Sequence, residues 1–310
     1  DRYPRGNDKL GPAASLAGRD IGQDFDSSNG WRMYHGDVVP GFPQHPHRGF
    51  ETITVVNQGF VDHTDSLGAT ARYGAGDVQW LTAGRGIVHA EMFPLVKSDA
   101  DNPLELFQIW LNLPAKDKMV DPHFIMLWKE SIPNREIKDA EGRCTQLKIV
   151  AGSYGDIKAP SPPPDSWATS LETNVSIWTI KMEAEATWTL PAAKTGVSRT
   201  LYFYVGSDLS IGQERIPANH MVALKADIAL PLRAGSTPAE LLLLEGRPIQ
   251  EPVAHYGPFV MNTRQELQQA FADYQQTQFG GWTWANNAPV HARQEERFAK
   301  HVDGRLEKPV

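Results

Sequence analysis

Apolar and polar positions alternate along this chain in short runs, most of them closed by glycine, proline or asparagine. Glu51–Val56 (ETITVV) is rich in β-branched residues, and Asn57-Gln58-Gly59 marks a turn behind it. Phe60–His63 resumes the run, Gly74-Ala75-Gly76-Asp77 marks a second turn, and Val78–Thr82 reads as the next strand. Leu104–Leu113 (LELFQIWLNL) is a longer apolar run, interrupted by Glu105, Gln108 and Asn112 and stopped by Pro114. Many short strands separated by Gly and Pro turns predict an all-β sandwich or barrel.

The pattern weakens over Lys129–Arg143, which is charged and contains Pro133; a link between domains is expected there. A second set of strands follows at Cys144–Val150, Ser176–Met182, Thr200–Val205 and Ala239–Leu244, with a Pro-rich loop, Ala159–Asp165 (APSPPPD), inside it. One helix is signalled late. Thr263 and Glu266 form a Thr-x-x-Glu capping box, and Leu267, Ala270, Phe271 and Tyr274 follow at helical spacing. The expected organisation is a barrel over residues 1–131 and a second barrel over 132–280. The helix, 264–278, is expected to pack on the second barrel, and the tail 281–310 has no assigned role.

Length supports two domains: 310 residues exceed one ordinary domain. An apolar fraction of 41%, with 9 Trp, 12 Phe and 8 Tyr, is enough for two cores. Net charge is −7 and no Lys/Arg run is present, which argues against a phosphate-gripping nucleic-acid partner. The single cysteine, Cys144, excludes an internal disulfide and a thiolate metal site, and fits a reducing, cytoplasmic compartment. Cys144 itself opens an apolar strand and reads as a packed small residue. No run approaches 18 apolar residues and no leader is visible, so neither a membrane span nor secretion is expected.

The chemistry-bearing residues are two pairs at i, i+2 spacing: His45 and His47 in Gly41–Glu51, and His89 and Glu91 in Gly76–Glu91. In an extended chain i and i+2 share a face, so each pair can enter a barrel interior. If the two pairs lie on adjacent antiparallel strands, four donors converge. Imidazoles with one carboxylate suit Fe, Zn, Ni, Cu or Mn and leave coordination positions open. Alternation alone also admits Glu51, which shares the parity of His45 and His47, as a ligand or as a group that orients a histidine. His63, His123, His220 and His255 lack a partner at ligand spacing and read as surface or hydrogen-bonded core. The second half has no His-x-His, so its barrel is expected to be metal-free. Phe42, Arg48, Gln108 and Trp110 are candidate walls of a substrate pocket.

HPHRGFET (His45–Thr52), GDVQWLTAGRGIVHAEM (Gly76–Met92), QIWLNLPAKDKMVDP (Gln108–Pro122) and EGRPIQEPVAHYGPFVMNT (Glu245–Thr263) resemble the pirin family of the cupin superfamily, over about residues 30–280. The resemblance implies a bicupin: two stacked β-barrels (double-stranded β-helices) with a C-terminal helix. It implies a metal ion, Fe(II) first and Ni, Zn, Mn or Cu as alternatives, on His45, His47, His89 and Glu91. It favours Glu91 over Glu51 as the carboxylate. It implies dioxygenase chemistry on a flavonol such as quercetin, with Glu91 as both ligand and base, and with dioxygen and a small aromatic substrate as partners. The competing implication is a redox-sensing iron regulator that acts through a protein partner without turnover. A third is another cupin chemistry on an unidentified small molecule.

Overall fold

The computed structural model describes residues 1–310. The chain divides into two compact units, Asp1–Lys129 with Glu251–Val310, and Glu130–Gln250. Both are antiparallel and β-rich, and each contains one six-stranded and one four-stranded sheet.

In the first unit the two main sheets draw on β1 (Gly41–His47), β2 (Phe50–Gln58), β3 (Phe60–Asp65), β4 (Thr70–Gly74), β5 (Val78–Thr82), β6 (Ile87–Met92), β7 (Glu105–Asn112) and β8 (His123–Leu127). The C-terminal segment adds α1 (Arg264–Thr277), β9 (Phe298–Lys300) and β10 (Leu306–Glu307). The larger sheet runs β1-β6-β3-β4-β9-β10 and the smaller β8-β5-β2-β7. Their facing sides share one core. Val61, Ala71, Tyr73 and Ile87 come from the larger sheet; Val56, Leu81, Phe124 and Met126 come from the smaller. Alternation explains the division: successive side chains point to opposite faces, so every second residue enters the core.

The second unit repeats the plan. Its six-stranded sheet includes Cys144–Ala151, Ser176–Met182, Ala239–Gly246 and Ser198–Val205 as neighbours, and its four-stranded sheet includes Thr187–Leu190, Leu230–Ala234 and Asp208–Ile211. Leu147, Ile180, Leu201 and Leu243 from one sheet pack with Trp188, Leu209 and Leu232 from the other. The two-barrel, all-β bicupin expectation therefore holds. The stretch expected to link the domains is more ordered than its pattern suggested: Asn134–Lys138 pairs with Cys144–Ala151 as an edge strand. A solvated edge strand has only one hydrogen-bonded neighbour and needs little apolar character.

Helix α1 begins at the expected capping box, with Thr263 and Glu266 bonded reciprocally. Its location differs from the sequence expectation. Leu267 and Ala270 are buried with Phe259 and Met261, and Asp273 accepts a 2.7 Å hydrogen bond from Arg48. The helix and everything after it belong to the first unit, because the chain returns to that unit at Glu251. The unassigned tail is structural there too. It supplies β9 on the edge of β4, and His291, Ala292 and Glu295 offer carbonyls to Arg72. No helix is long and apolar enough to cross a membrane.

Arg72 anchors this tail. It makes a two-pronged pair with Asp62, at 2.7 Å on both prongs, with both side chains almost fully buried. Arg72→Leu would leave the buried Asp62 carboxylate with only the His291 N–H and would take the donor from three carbonyls. Loss of one partner of a buried pair costs about 3–5 kcal/mol. A urea titration of this variant should show a drop of that size, and a change under about 1 kcal/mol would mean that the tail is not held through Arg72.

Candidate metal centre

Strands β1 and β6 pair antiparallel and put His45 directly opposite His89. Cross-strand partners project to the same face. Because i and i+2 also share a face, His47 and Glu91 join that side of the sheet. The register slips once: Phe42 pairs with Glu91, so β1 uses three steps where β6 uses two. This one-residue bulge brings Phe42, whose odd spacing from His45 would otherwise send it outward, onto the inner face. Its ring lies 6.2 Å from that of His45.

Two glycines close the turns beside these strands. A Cβ on Gly49, after His47, would sit 2.1 Å from the Val260 carbonyl. One on Gly86, before β6, would sit 2.6 Å from the Phe279 ring. Both have positive φ, so glycine is required twice over.

The ligand-type nitrogens of His45, His47 and His89 all lie within 4.8 Å of one another, and this cluster could hold a metal ion. His45 Nδ1–H donates to the Pro43 carbonyl at 2.9 Å, which leaves Nε2 with its lone pair. That Nε2 is 3.0 Å from His89 Nε2. Two nitrogens each about 2.0–2.1 Å from a shared ion, at right angles about it, would be about 3 Å apart. Nδ1 of His89 is buried without a hydrogen-bond partner, and neither buried ring nitrogen of His47 has one in good geometry, although the Pro258 carbonyl is near enough to act on its pKa. Such orphaned groups cost about 1–3 kcal/mol each unless something satisfies them. Burial depresses the pKa of all three imidazoles; neighbouring histidines lower His47 and His89 further, while Glu91 opposes the shift at His45 and the Pro258 carbonyl opposes it at His47. The net shift at each ring favours the neutral form, which ligates metal.

Glu91 is 2% exposed and stands beside the cluster, with Oε2 3.8 Å from His89 Nε2. Gln108 Nε2 donates to Oε2 at 2.6 Å and Thr54 Oγ1 donates to Oε1 at 3.3 Å. Burial, and then the Glu91 carboxylate, push the Tyr73 phenol well above its ordinary pKa, so it stays protonated. Glu51 is also fully buried, and it accepts from Trp80 Nε1 at 3.1 Å and from Thr82 Oγ1 at 2.9 Å on the smaller sheet. A cavity of about 330 Å³ adjoins Glu91, with Tyr34, Phe42, Thr54, Phe93, Leu106 and Gln108 in its wall.

Of the four expected pocket residues, Phe42 and Gln108 line this cavity. Trp110 does not; its ring lies against Phe50 at 4.2 Å and edge-on to His47 at 5.5 Å. Arg48 does not either. Its side chain turns away, donating from Nε to the Arg85 carbonyl at 2.6 Å and from Nη1 to Asp273, with its guanidinium 4.4 Å over Phe279. Residue parity accounts for this: Arg48 follows an inward His47 and faces the other side. The sequence reading missed His63 as a neighbour of the site. It is fully buried, 3.2 Å from Asp65 Oδ2, with its ring 5.5 Å from that of His89. The expectation that His63 has no partner at ligand spacing does not hold: Asp65 stands at i+2 on the same face, and what one sequence does not show is that β3 lies beside β6. His123, His220 and His255 are exposed.

Arg48 ties the turn after His47 to the segment before β6, and both to α1. Arg48→Ala should therefore weaken divalent-metal affinity by roughly ten- to a hundredfold, as loss of groups that orient ligands does. Arg48→Lys keeps the charge but not the planar fork and should fall between. Competition against a chromogenic chelator measures this, and unchanged affinity in Arg48→Ala would refute the positioning role.

Comparisons with known proteins agree with this geometry. The Pirin family profile matches residues 21–111, and that of the Pirin C-terminal cupin domain matches residues 177–280. A Pseudomonas aeruginosa protein provisionally named a quercetin 2,3-dioxygenase is 37% identical over 240 residues, covering 77% of this chain and 79% of its own length. Pirin-1 of Arabidopsis thaliana is 37% identical over 242 residues, covering 77% and 78%. The crystal structure of quercetin 2,3-dioxygenase from Acinetobacter baumannii superposes with a TM-score of 0.68 at 31% identity, covering 78% of this chain and 80% of that one. With parts of both barrels matched by the family profiles and relatives 37% identical over 77% of its length, the chain belongs to the pirin family.

Proposed function

We propose that the protein is a metal-dependent oxygenase that opens flavonols such as quercetin, with iron held by His45, His47, His89 and Glu91. The observation that carries this reading is the position of Glu91, which stands at the three-imidazole cluster and in the wall of an aromatic-lined cavity at once. The donor set fits a divalent ion: three neutral nitrogens and one carboxylate leave it partly charged and with open positions. A bound iron would supply Lewis acidity toward a chelating hydroxyl and a seat for dioxygen.

The chain's own residues supply the rest. Tyr34, Phe42 and Phe93 offer flat apolar walls that suit a planar substrate. Gln108 and Thr54 hold the Glu91 carboxylate, which, of the carboxylates that line the cavity, is the one beside the imidazole cluster and so the base placed to accept the hydroxyl proton of a metal-bound substrate. Relatives named quercetin 2,3-dioxygenase support the substrate class. The reading includes a cytoplasmic location, supported by a lone free cysteine, Cys144.

The test is aerobic incubation of the iron-loaded protein with quercetin, followed by loss of the flavonol's visible absorbance. Turnover should clearly exceed that of iron in buffer. Glu91→Gln should retain most of its metal while the rate falls by about 10²–10⁴, the usual contribution of a positioned base. A fully active, metal-loaded Glu91→Gln would remove Glu91 from the chemistry. No turnover in the parent protein, together with capture of a protein partner that depends on iron oxidation state, would favour the regulatory role instead.

Removal of the metal gives a second outcome. An ion that binds only the folded state at a hundred times its Kd adds about 2.7 kcal/mol of stability. The metal-loaded protein should melt at a higher temperature than the chelator-stripped one, and His47→Ala should abolish the difference. Equal melting temperatures with and without bound metal would contradict the buried site.

A further inference from the structure

The second unit, which has no His-x-His pair, contains a larger cavity of about 580 Å³. It lies where Ser176–Met182 begins, Ala239–Gly246 ends and Ser198–Val205 begins. Ser176, Glu245 and Arg199 form one row across these three strands in register. The row faces inward, since Trp178, Leu243 and Leu201, each two residues further along, are core. Arg199 and Glu245 are an ion pair at 2.5 Å, both nearly buried, and Arg199 also donates to the Pro191 carbonyl.

Three features give the cavity a chemical preference. The first is charge. Its charged lining is three cations, Lys158, Lys194 and Arg199, against one carboxylate, Glu245, in a protein whose net charge is −7. A cationic concavity in an acidic protein concentrates anions. The second is a flat apolar body. Tyr154 meets Trp178 edge-on at 5.7 Å, and Pro160 and Pro162 of the Pro-rich loop complete that wall. The third is an unused donor. Trp178 is 3% exposed and its Nε1–H has no hydrogen-bond partner. Buried indole N–H groups normally find one, so a ligand oxygen would satisfy it.

We propose that the second barrel binds a small aromatic carboxylate, with its anion toward Lys158 and Lys194, its ring against Trp178 and Tyr154, and a ring oxygen accepting from Trp178 Nε1. This site is separate from the histidine cluster and does not depend on the metal reading. It also gives the Pro-rich loop a role as the cavity's rigid wall, since proline fixes backbone without needing a donor.

Isothermal titration calorimetry of the full-length, metal-loaded protein with 6-hydroxy-2-naphthoate tests it. One saturable site per chain is expected. The uncharged 6-hydroxy-2-naphthamide should bind at least tenfold more weakly, and 2-naphthoate, which lacks the hydroxyl, should also lose affinity. The double variant Lys158→Glu/Lys194→Glu changes only exposed side chains and should weaken naphthoate binding at least tenfold. Trp178→Phe should remove the preference for the hydroxylated probe. No saturable binding up to millimolar probe would overturn the proposal, as would binding unchanged by the double charge reversal, which would place the probe elsewhere.

Discussion

The register between β1 and β6 is the constraint from which the site follows. His45 opposite His89 fixes three imidazoles and one carboxylate on the inner face of one sheet. A slip of one residue in either strand would send a ligand pair outward, because the side-chain period of a strand is two. The bulge between Phe42 and His45 belongs to the same device. It keeps the pair opposite while turning Phe42 inward to wall the cavity beside Glu91.

Holding that register has a visible cost. Several buried imidazole nitrogens lack partners within the protein, which is unusual in a packed core and which a bound cation would relieve. The surroundings are built to tolerate it. Arg48 and Lys118 tie adjoining turns together, with Lys118 Nζ donating to the Gly49 and Val260 carbonyls and to Asn112. Behind the sheet, the C-terminal tail touches each ligand-bearing region. Gln44 N–H donates to the Asn287 carbonyl, Trp284 Nε1–H donates to the Asp65 carbonyl, and Ala288 and Val290 pack near Met92. Sites that need rigid geometry are commonly braced from outside in this way.

Much of this was legible in the sequence, for identifiable reasons. Val78–Thr82 was readable to the residue because Gly74-Ala75-Gly76-Asp77 marks the turn before it, and Ser176–Met182 because β-branched and aromatic residues fill it. The capping box of α1 was readable because it is a purely local motif. The inward facing of His45, His47, His89 and Glu91 followed from i, i+2 parity. What was not legible is non-local. The chain crosses back to the first unit at Glu251, so α1 and the tail lie against residues more than two hundred positions earlier. Arg48 looked like a pocket wall because it adjoins His47, yet alternation turns it to the opposite side. His63 and Asp65 sit beside His89 only because β3 pairs with β6, a pairing that spacing alone does not announce.

The second barrel carries different side chains on the same sheet plan, with an Arg199–Glu245 pair on its inner face and no cluster of imidazoles. Fold therefore does not decide the chemistry; the side chains on the inner rows do. The central claim is that one cation is shared by the four inward groups of the first barrel, and anomalous diffraction at the iron edge from iron-loaded crystals tests it most directly. The account predicts a single strong peak enclosed by the ring nitrogens of His45, His47 and His89 and by the Glu91 carboxylate. A peak located elsewhere, or none in protein that carries one equivalent of iron, would contradict it.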